Sequence, residues 1–239
     1  MAGELEAPNS AGEIYLSRGD EVAPARPLFT GDIFQLPAVP GLRDDGAPDA
    51  VILLQHPCAF RTDGVDLAPR LLVAEVSHGT SVTSPGQWKG SFRIMPLPAP
   101  ADADAGDLGA MSAHFDRLLV MRPEELEGGF TRVACLSDVG VNLLLQRWVH
   151  HNSRVIVPTH LFAEVTAGPS AEVEITEEWI ADRMAAGVTP SDAARECHTF
   201  LRAKTSGDIS RQDALADPQR RSEVRRAARA EVKRLSTSS

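Results

Sequence analysis

Three segments decide the fold class: Phe29-Thr-Gly-Asp-Ile-Phe34, Val51-Ile-Leu-Leu-Gln-His-Pro-Cys58 and Arg70-Leu-Leu-Val-Ala-Glu-Val-Ser77. A Gly-Asp turn opens the first strand. The other two are short apolar runs that end abruptly in polar, reactive residues. Runs of this length, bounded by turn residues and rich in Val, Ile and Leu, read as buried strands. Outward from them the pattern repeats. Asp32–Leu36, Ala50–Leu54, Arg70–Val76, Ser91–Pro96, His114–Met121 and Phe130–Cys135 all have strand character, and Ile14-Tyr-Leu16 adds an edge strand. Pro37, Pro40, Asp44-Asp45-Gly46 and Asp63-Gly64 mark turns between them. Short strands at this density predict a small barrel or a strongly bent sheet.

The best helix begins at Ser137 or Asp138 and runs to His151, with Val141, Leu144, Leu145 and Trp148 on one face. Pro123-Glu-Glu-Leu126 is a short helical turn, and Arg154–Val157 reads as a further strand stopped by Pro158. Beyond residue 170 the pattern turns helical. One helix starts at Thr176 and stops near Gly187, a second is capped by Thr189 and ends at Gly207, and a third begins at Asp217-Pro218. The expected fold class is therefore α+β: a β-rich barrel with one packed helix and a C-terminal helical extension. The expected divisions are a flexible segment over 1–26, a barrel domain over 27–165 and a helical tail over 170–239. The tail's narrow apolar faces predict packing on the barrel or on another chain rather than a core of its own.

With 239 residues and 43% hydrophobic residues, the chain can bury a sizeable core. Its net charge of −9 argues against nucleic-acid binding by the surface as a whole. The charge is uneven. Between Pro218 and Leu235 seven Arg and Lys residues face two Glu, giving +5 there and −14 elsewhere. Such asymmetry points to a tail that docks on an acidic surface, of this chain or of a partner. Arg221, Arg225 and Arg229 are the candidate partner contacts, joined by Trp88, which the turn-like Ser84–Gly90 segment predicts to be exposed. Cys58, Cys135 and Cys197 form no Cys-x-x-Cys pair, which disfavours a disulfide framework or a zinc ribbon. The acidic start lacks the apolar core of a signal peptide, and no apolar run is long enough to cross a membrane. A cytoplasmic protein is the expectation.

The candidate chemistry sits at strand ends. Arg43 lies in the loop after the first strand, His56 and Cys58 follow the second, and Ser77 and His78 close the third. If these ends converge at a barrel mouth, they supply a cation, imidazoles and a hydroxyl. Cleavage of RNA through its 2′-hydroxyl requires a base, an acid and a charge stabiliser of these kinds. Cys58 beside His56 and near Arg61 also reads as a lowered-pKa nucleophile or as a small core residue. His150, His151 and His160 could suggest a metal. Adjacent helical residues point about 100° apart, so a helix C-terminus served by His is the better reading. No metal or cofactor is expected. Phosphate-cradling Gly-rich loops, dinucleotide fingerprints and a G-x-S-x-G elbow are absent from the sequence.

Over residues 27–80 the chain resembles the MazF/PemK-like toxin family of SH3-like barrels. Thr30-Gly31-Asp32-Ile33 matches that family's opening R-G-D-[IV] strand, with Thr in place of Arg. Asp49–Gln55 resembles its buried P-[AV]-[VL]-[VL]-L-[ST] strand, and Leu71–Ser77 its V-x-V-x-P-[IL]-[TS] strand. The resemblance implies a metal-independent endoribonuclease of a toxin–antitoxin or anti-phage system. Arg43 would be its cation and Ser77 its hydroxyl, with His56 or His78 assisting, and RNA the substrate. It also implies that a homodimer can form. The chain departs from the family in lacking Arg-Pro before the second strand and in carrying Glu75 where the family has Pro. A second expectation follows from those departures: a barrel without catalysis, serving as a protein-binding or assembly subunit through its helical tail.

Overall fold

The computed structural model describes residues 4–35, 50–60, 67–79, 85–90, 92–99, 109–205 and 207–237. The protein is α+β, with seven strands in one curled antiparallel sheet. They are β1 (Tyr15–Arg18), β2 (Asp32–Gln35), β3 (Ala50–Leu53), β4 (Leu71–His78), β5 (Ile94–Leu97), β6 (Met111–Met121) and β7 (Thr131–Leu136), in the order β1-β7-β2-β3-β4-β6-β5. The sheet is a half-barrel whose edges are β1 and β5. Each strand expected from the sequence between Asp32 and Cys135 is present within a few residues. Arg154–Val157 is not a strand. The Val157 carbonyl instead accepts a hydrogen bond from Gln146 Nε2 at 2.9 Å.

Two compact units divide the chain: Met1–Val22 with Phe29–Ala163, and Ala23–Leu28 with Glu164–Ser239. In the first unit, α1 (Pro85–Gly90) and α2 (Pro123–Gly129) are short, and α3 (Asp138–Ser153) is the central helix. Ser137 caps α3 by accepting the Gly140 N–H at 3.1 Å. Its stripe residues Val141, Leu144 and Leu145 are buried, as the spacing predicts. Burial extends further, because all eight residues from Gly140 to Arg147 are buried and this part of the helix is enclosed on every side. Gly140 makes that possible: a Cβ there would lie 2.2 Å from the Ile14 carbonyl oxygen.

Residues 4–22, expected to belong to a flexible segment, are packed. Leu5 and Ile14 are buried, β1 pairs with β7, and Glu6 is tied to Gln146 and Thr159. Gly31 and Asp32 are also structural. Gly31 has φ +85°. Its N–H donates to the Leu53 carbonyl at 2.9 Å, and its carbonyl accepts from Leu136 at 3.3 Å. Asp32 is 1% exposed, accepts the Phe29 N–H at 2.9 Å and lies 3.5 Å from Arg132 Nε. The Gly-Asp pair thus knits β2 between β3 and β7.

The second unit consists of α4 (Thr159–Ala185, which starts in the first unit), α5 (Pro190–Arg202), α6 (Arg211–Ala214) and α7 (Pro218–Thr237). Contrary to expectation it has its own core. Ala171, Ile175 and Trp179 of α4, Ala193, Cys197 and Leu201 of α5, and Val224, Ala228 and Val232 of α7 each recur at i, i+4, i+8 and pack together around Leu215. Three stripes of this kind are individually narrow, but together they enclose a core. The expected start of this first tail helix, Thr176, is corrected as well, because the helix begins at Thr159. The helix carries Pro169 in its interior, and a Cβ on Gly168 would lie 3.3 Å from the Ala216 backbone.

Candidate functional site

Neighbouring antiparallel strands run in opposite directions, so their C-terminal ends lie at opposite rims of the sheet. That rule separates the residues expected to converge. The C-terminal end of β3 is stitched to the start of β4: Leu54 N–H donates to the Leu72 carbonyl at 2.9 Å, and Leu72 N–H donates to Gln55 Oε1 at 3.3 Å. His56 belongs to that rim. Ser77 and His78 close β4 at the other rim, five residues from Leu72, which at about 3.3 Å per residue is ~17 Å. His56 and Ser77 therefore do not share a site. Arg43 lies outside the described residues. Its flanks Gln35 and Ala50 are register partners, and Ala50 pairs with Val76 at the Ser77 rim.

His56 has a local task instead. It caps the 3-10 turn Pro57–Ala59 by accepting the Cys58 N–H on Nδ1 at 3.2 Å. Burial pushes its pKa below the usual imidazole value. Cys58 is exposed, while Cys135 and Cys197 are buried. His78 is exposed and pairs in register with Met111.

The constellation that does form lies on β4 and β6. Ser77 Oγ is 2.8 Å from His114 Nε2. Both side chains are half-buried. The register pairs Ser77 with Ser112 and Glu75 with His114, so Ser77 and His114 are diagonal neighbours on one sheet face. Immediately beyond, the pairing shifts between Ala74 and Glu75, so that Ala74 faces Leu118. This irregularity on β6 brings Arg117 back over Glu75, with Nη1 2.7 Å from Oε1. A hydroxyl, an imidazole and a carboxylate-held guanidinium are thereby set side by side. The imidazole can take a proton, the hydroxyl can relay or donate one, and the guanidinium can hold an anion. His114 escaped the sequence reading because its partner is 37 residues away. The period-two polar series Ser112, His114, Asp116, alternating with Met111, Ala113 and Phe115, was the available signal.

The expected partner residues are placed as follows. Trp88 is 4% exposed, which corrects the expectation of an exposed ring. Helix α1 turns its indole under Arg147, whose guanidinium carbon stands 4.8 Å from the ring centre and whose Nη2 donates to the Trp88 carbonyl at 2.9 Å. Within the helical unit, Arg221 Nε donates to the Leu215 carbonyl at 2.7 Å. Arg225 bonds Glu174, and Arg229 lies 3.1 Å from Glu178. The basic face of α7 thus meets an acidic face of α4 in the same chain, through exposed pairs that each contribute about 0–1 kcal/mol.

Among the described residues no three His, Cys, Asp or Glu side chains gather as metal ligands, and no helix is long and apolar enough to cross a membrane. No protein-family model matches the chain, and a search of curated proteins gives no match.

Proposed function

We propose that the chain is a metal-independent endoribonuclease built on an SH3-like, MazF/PemK-like half-barrel, with Ser77 and His114 at its centre. The observation that carries this reading is the 2.8 Å contact between the Ser77 hydroxyl and the His114 imidazole, beside the Glu75–Arg117 ion pair. In this reading His114 accepts the proton of an RNA 2′-hydroxyl. The 2′-oxygen attacks the adjacent phosphorus, and the bond to the 5′-oxygen breaks. A cyclic 2′,3′-phosphate remains on one fragment. The leaving 5′-oxygen takes a proton through Ser77 and becomes a hydroxyl. Arg117 is positioned to oppose the charge on the pentavalent phosphorus, and Arg43 remains a candidate for the same task.

Incubating the purified protein with mixed RNA in EDTA tests the reading. Cleavage to cyclic-phosphate ends, lowered about 100-fold or more in Ser77→Ala and His114→Ala, is the expected result. No cleavage at micromolar protein would refute it.

One observation favours a second reading, that of a protein-binding or assembly subunit of a prokaryotic complex. Leu118, Leu119 and Val120 are 40%, 40% and 58% exposed on the stretch of β6 beyond its pairing with β5. Consecutive exposed apolar residues along a strand whose outer edge has no strand partner among the described residues suit pairing with another chain.

A further inference from the structure

Where α3 ends, four positively charged or protonatable side chains crowd one corner of an acidic protein. Arg147, His150, His151 and Arg154 belong to the last two turns of the helix and its cap. His150 is held below the usual imidazole pKa by burial and then by Arg154, Arg147 and His151, and of these Arg147 is buried with the Glu6 carboxylate opposing it. Two of these groups have unspent donors or acceptors: His150 Nδ1 is buried without a hydrogen-bond partner, and so are Nε and Nη1 of Arg147.

Aromatic rings are interleaved with the charges. Phe92 is 44% exposed. The Arg154 guanidinium stands 5.9 Å from its ring centre, and His150 meets it edge-on at 6.2 Å. The His151 ring donates to the Phe92 carbonyl at 3.4 Å and stacks on Trp148 at 6.2 Å, 10° from parallel. Phe115 packs against both Trp148 and His151. It directly follows His114 on β6, and its N–H is bonded to the carbonyl of Arg93, next to Phe92. The corner is therefore continuous along the chain with the strand that carries His114.

A helix C-terminus attracts one or two cations through its dipole. Exposed Arg154 and two imidazoles set around the exposed Phe92 ring go beyond what the dipole explains, because the dipole accounts for charge and not for aromatic surface. The exposed members of the corner, Arg154 and Phe92, fit a ligand that is anionic and carries flat π faces. We infer that this corner binds single-stranded RNA, Phe92 stacking a base and Arg154 holding the adjacent phosphate. This rests on the ribonuclease reading for the choice of RNA, and it assigns a surface that holds the strand apart from the cleavage centre.

The test uses the full chain with Ser77→Ala and His114→Ala, so that RNA stays intact, and a fluorescein-labelled single-stranded RNA dodecamer read by fluorescence anisotropy. Phe92→Ala should weaken binding about tenfold, the loss expected for one stacked base, without altering the salt dependence. Arg154→Gly should weaken it and reduce the slope of log affinity against log salt by about 0.7. Glycine is chosen because Arg154 has φ 60°, which glycine adopts freely. Circular dichroism confirms that each variant is folded. Unchanged affinity in both variants would overturn the inference, as would equal displacement of the RNA by an acidic peptide with no effect of Phe92→Ala. RNA binding through this corner by a protein that cleaves nothing would sink the ribonuclease reading alone. Cleavage with no contribution from the corner would sink the inference alone.

Discussion

Replacing Gly31 by alanine tests whether the Gly-Asp pair is architectural. Two terms set the cost. Gly31 sits at φ +85°, where an L-residue is disfavoured by about 1–2 kcal/mol. In addition, the new Cβ would stand 2.8, 2.9 and 3.0 Å from Leu136 Cβ, Cγ and Cδ1. Carbon atoms prefer about 3.5–4.0 Å, so Leu136 or the β2–β7 backbone must yield by roughly 0.7 Å. Overpacking of this kind costs about 1–3 kcal/mol. The sum is about 2–5 kcal/mol, and at about 2 kcal/mol per molar urea the midpoint of the sheet unit falls by ~1–2.5 M. Gly187 provides the control, since it has the same φ of +85° and a Cβ added there would meet nothing within 4 Å. Gly187→Ala should show only the conformational term, about 1–2 kcal/mol, in the helical unit. Hydrogen exchange read peptide by peptide along a urea series keeps the two units apart. If Gly31→Ala costs no more than Gly187→Ala, the packing argument is wrong and the pair is free for another role.

Three further outcomes are expected. His56→Ala should lower stability by about 0.5–2 kcal/mol through loss of the cap. It should leave RNA cleavage intact, and a large loss of cleavage would reinstate His56 at the site. Because the folded His56 pKa lies below its unfolded value, the unfolded chain binds more protons across that window. Stability there should fall as pH drops through about 6.5, and His56→Asn should flatten that step in pH-dependent unfolding. In the helical unit, the hydrogen bond from Arg183, at 2.7 Å, holds the Glu196 carboxyl below the usual range. Its contribution is present above pH ~4.5 and is lost as pH falls further. Arg183→Met should remove that acid-side loss while lowering stability at neutral pH by about 1–3 kcal/mol. An unchanged acid limb would show that the pair does not control it.

Local pattern carried the strands and α3, because side-chain period and turn residues are properties of neighbouring positions. It failed wherever partners are distant. The Ser77–His114 contact depends on a register between β4 and β6 that nothing near Ser77 announces. The separation of His56 from Ser77 depends on which strands are adjacent. The helical core was hidden for a related reason: each of α4, α5 and α7 offers one residue per turn, and only their mutual packing makes that sufficient. Trp88 departs from its turn-like reading because Pro85 and Gly86, which signal a turn, open a short helix that folds inward under a buried arginine.

The helical unit takes its first residues, Ala23–Leu28, from before β2 and the remainder from after Ala163. Arg26 there reaches Glu177 at 2.9 Å, and Ala25 packs against the core. During synthesis the early segment therefore waits while the intervening sheet is made, on the order of ten seconds at bacterial elongation rates of about 5–20 residues per second. The sheet unit can close on itself in that interval, whereas the helical unit matures only after translation has passed α7. An excised fragment beginning at residue 164 would lack a piece of its own core, so a deletion series cut from the sequence alone would divide this protein at the wrong place.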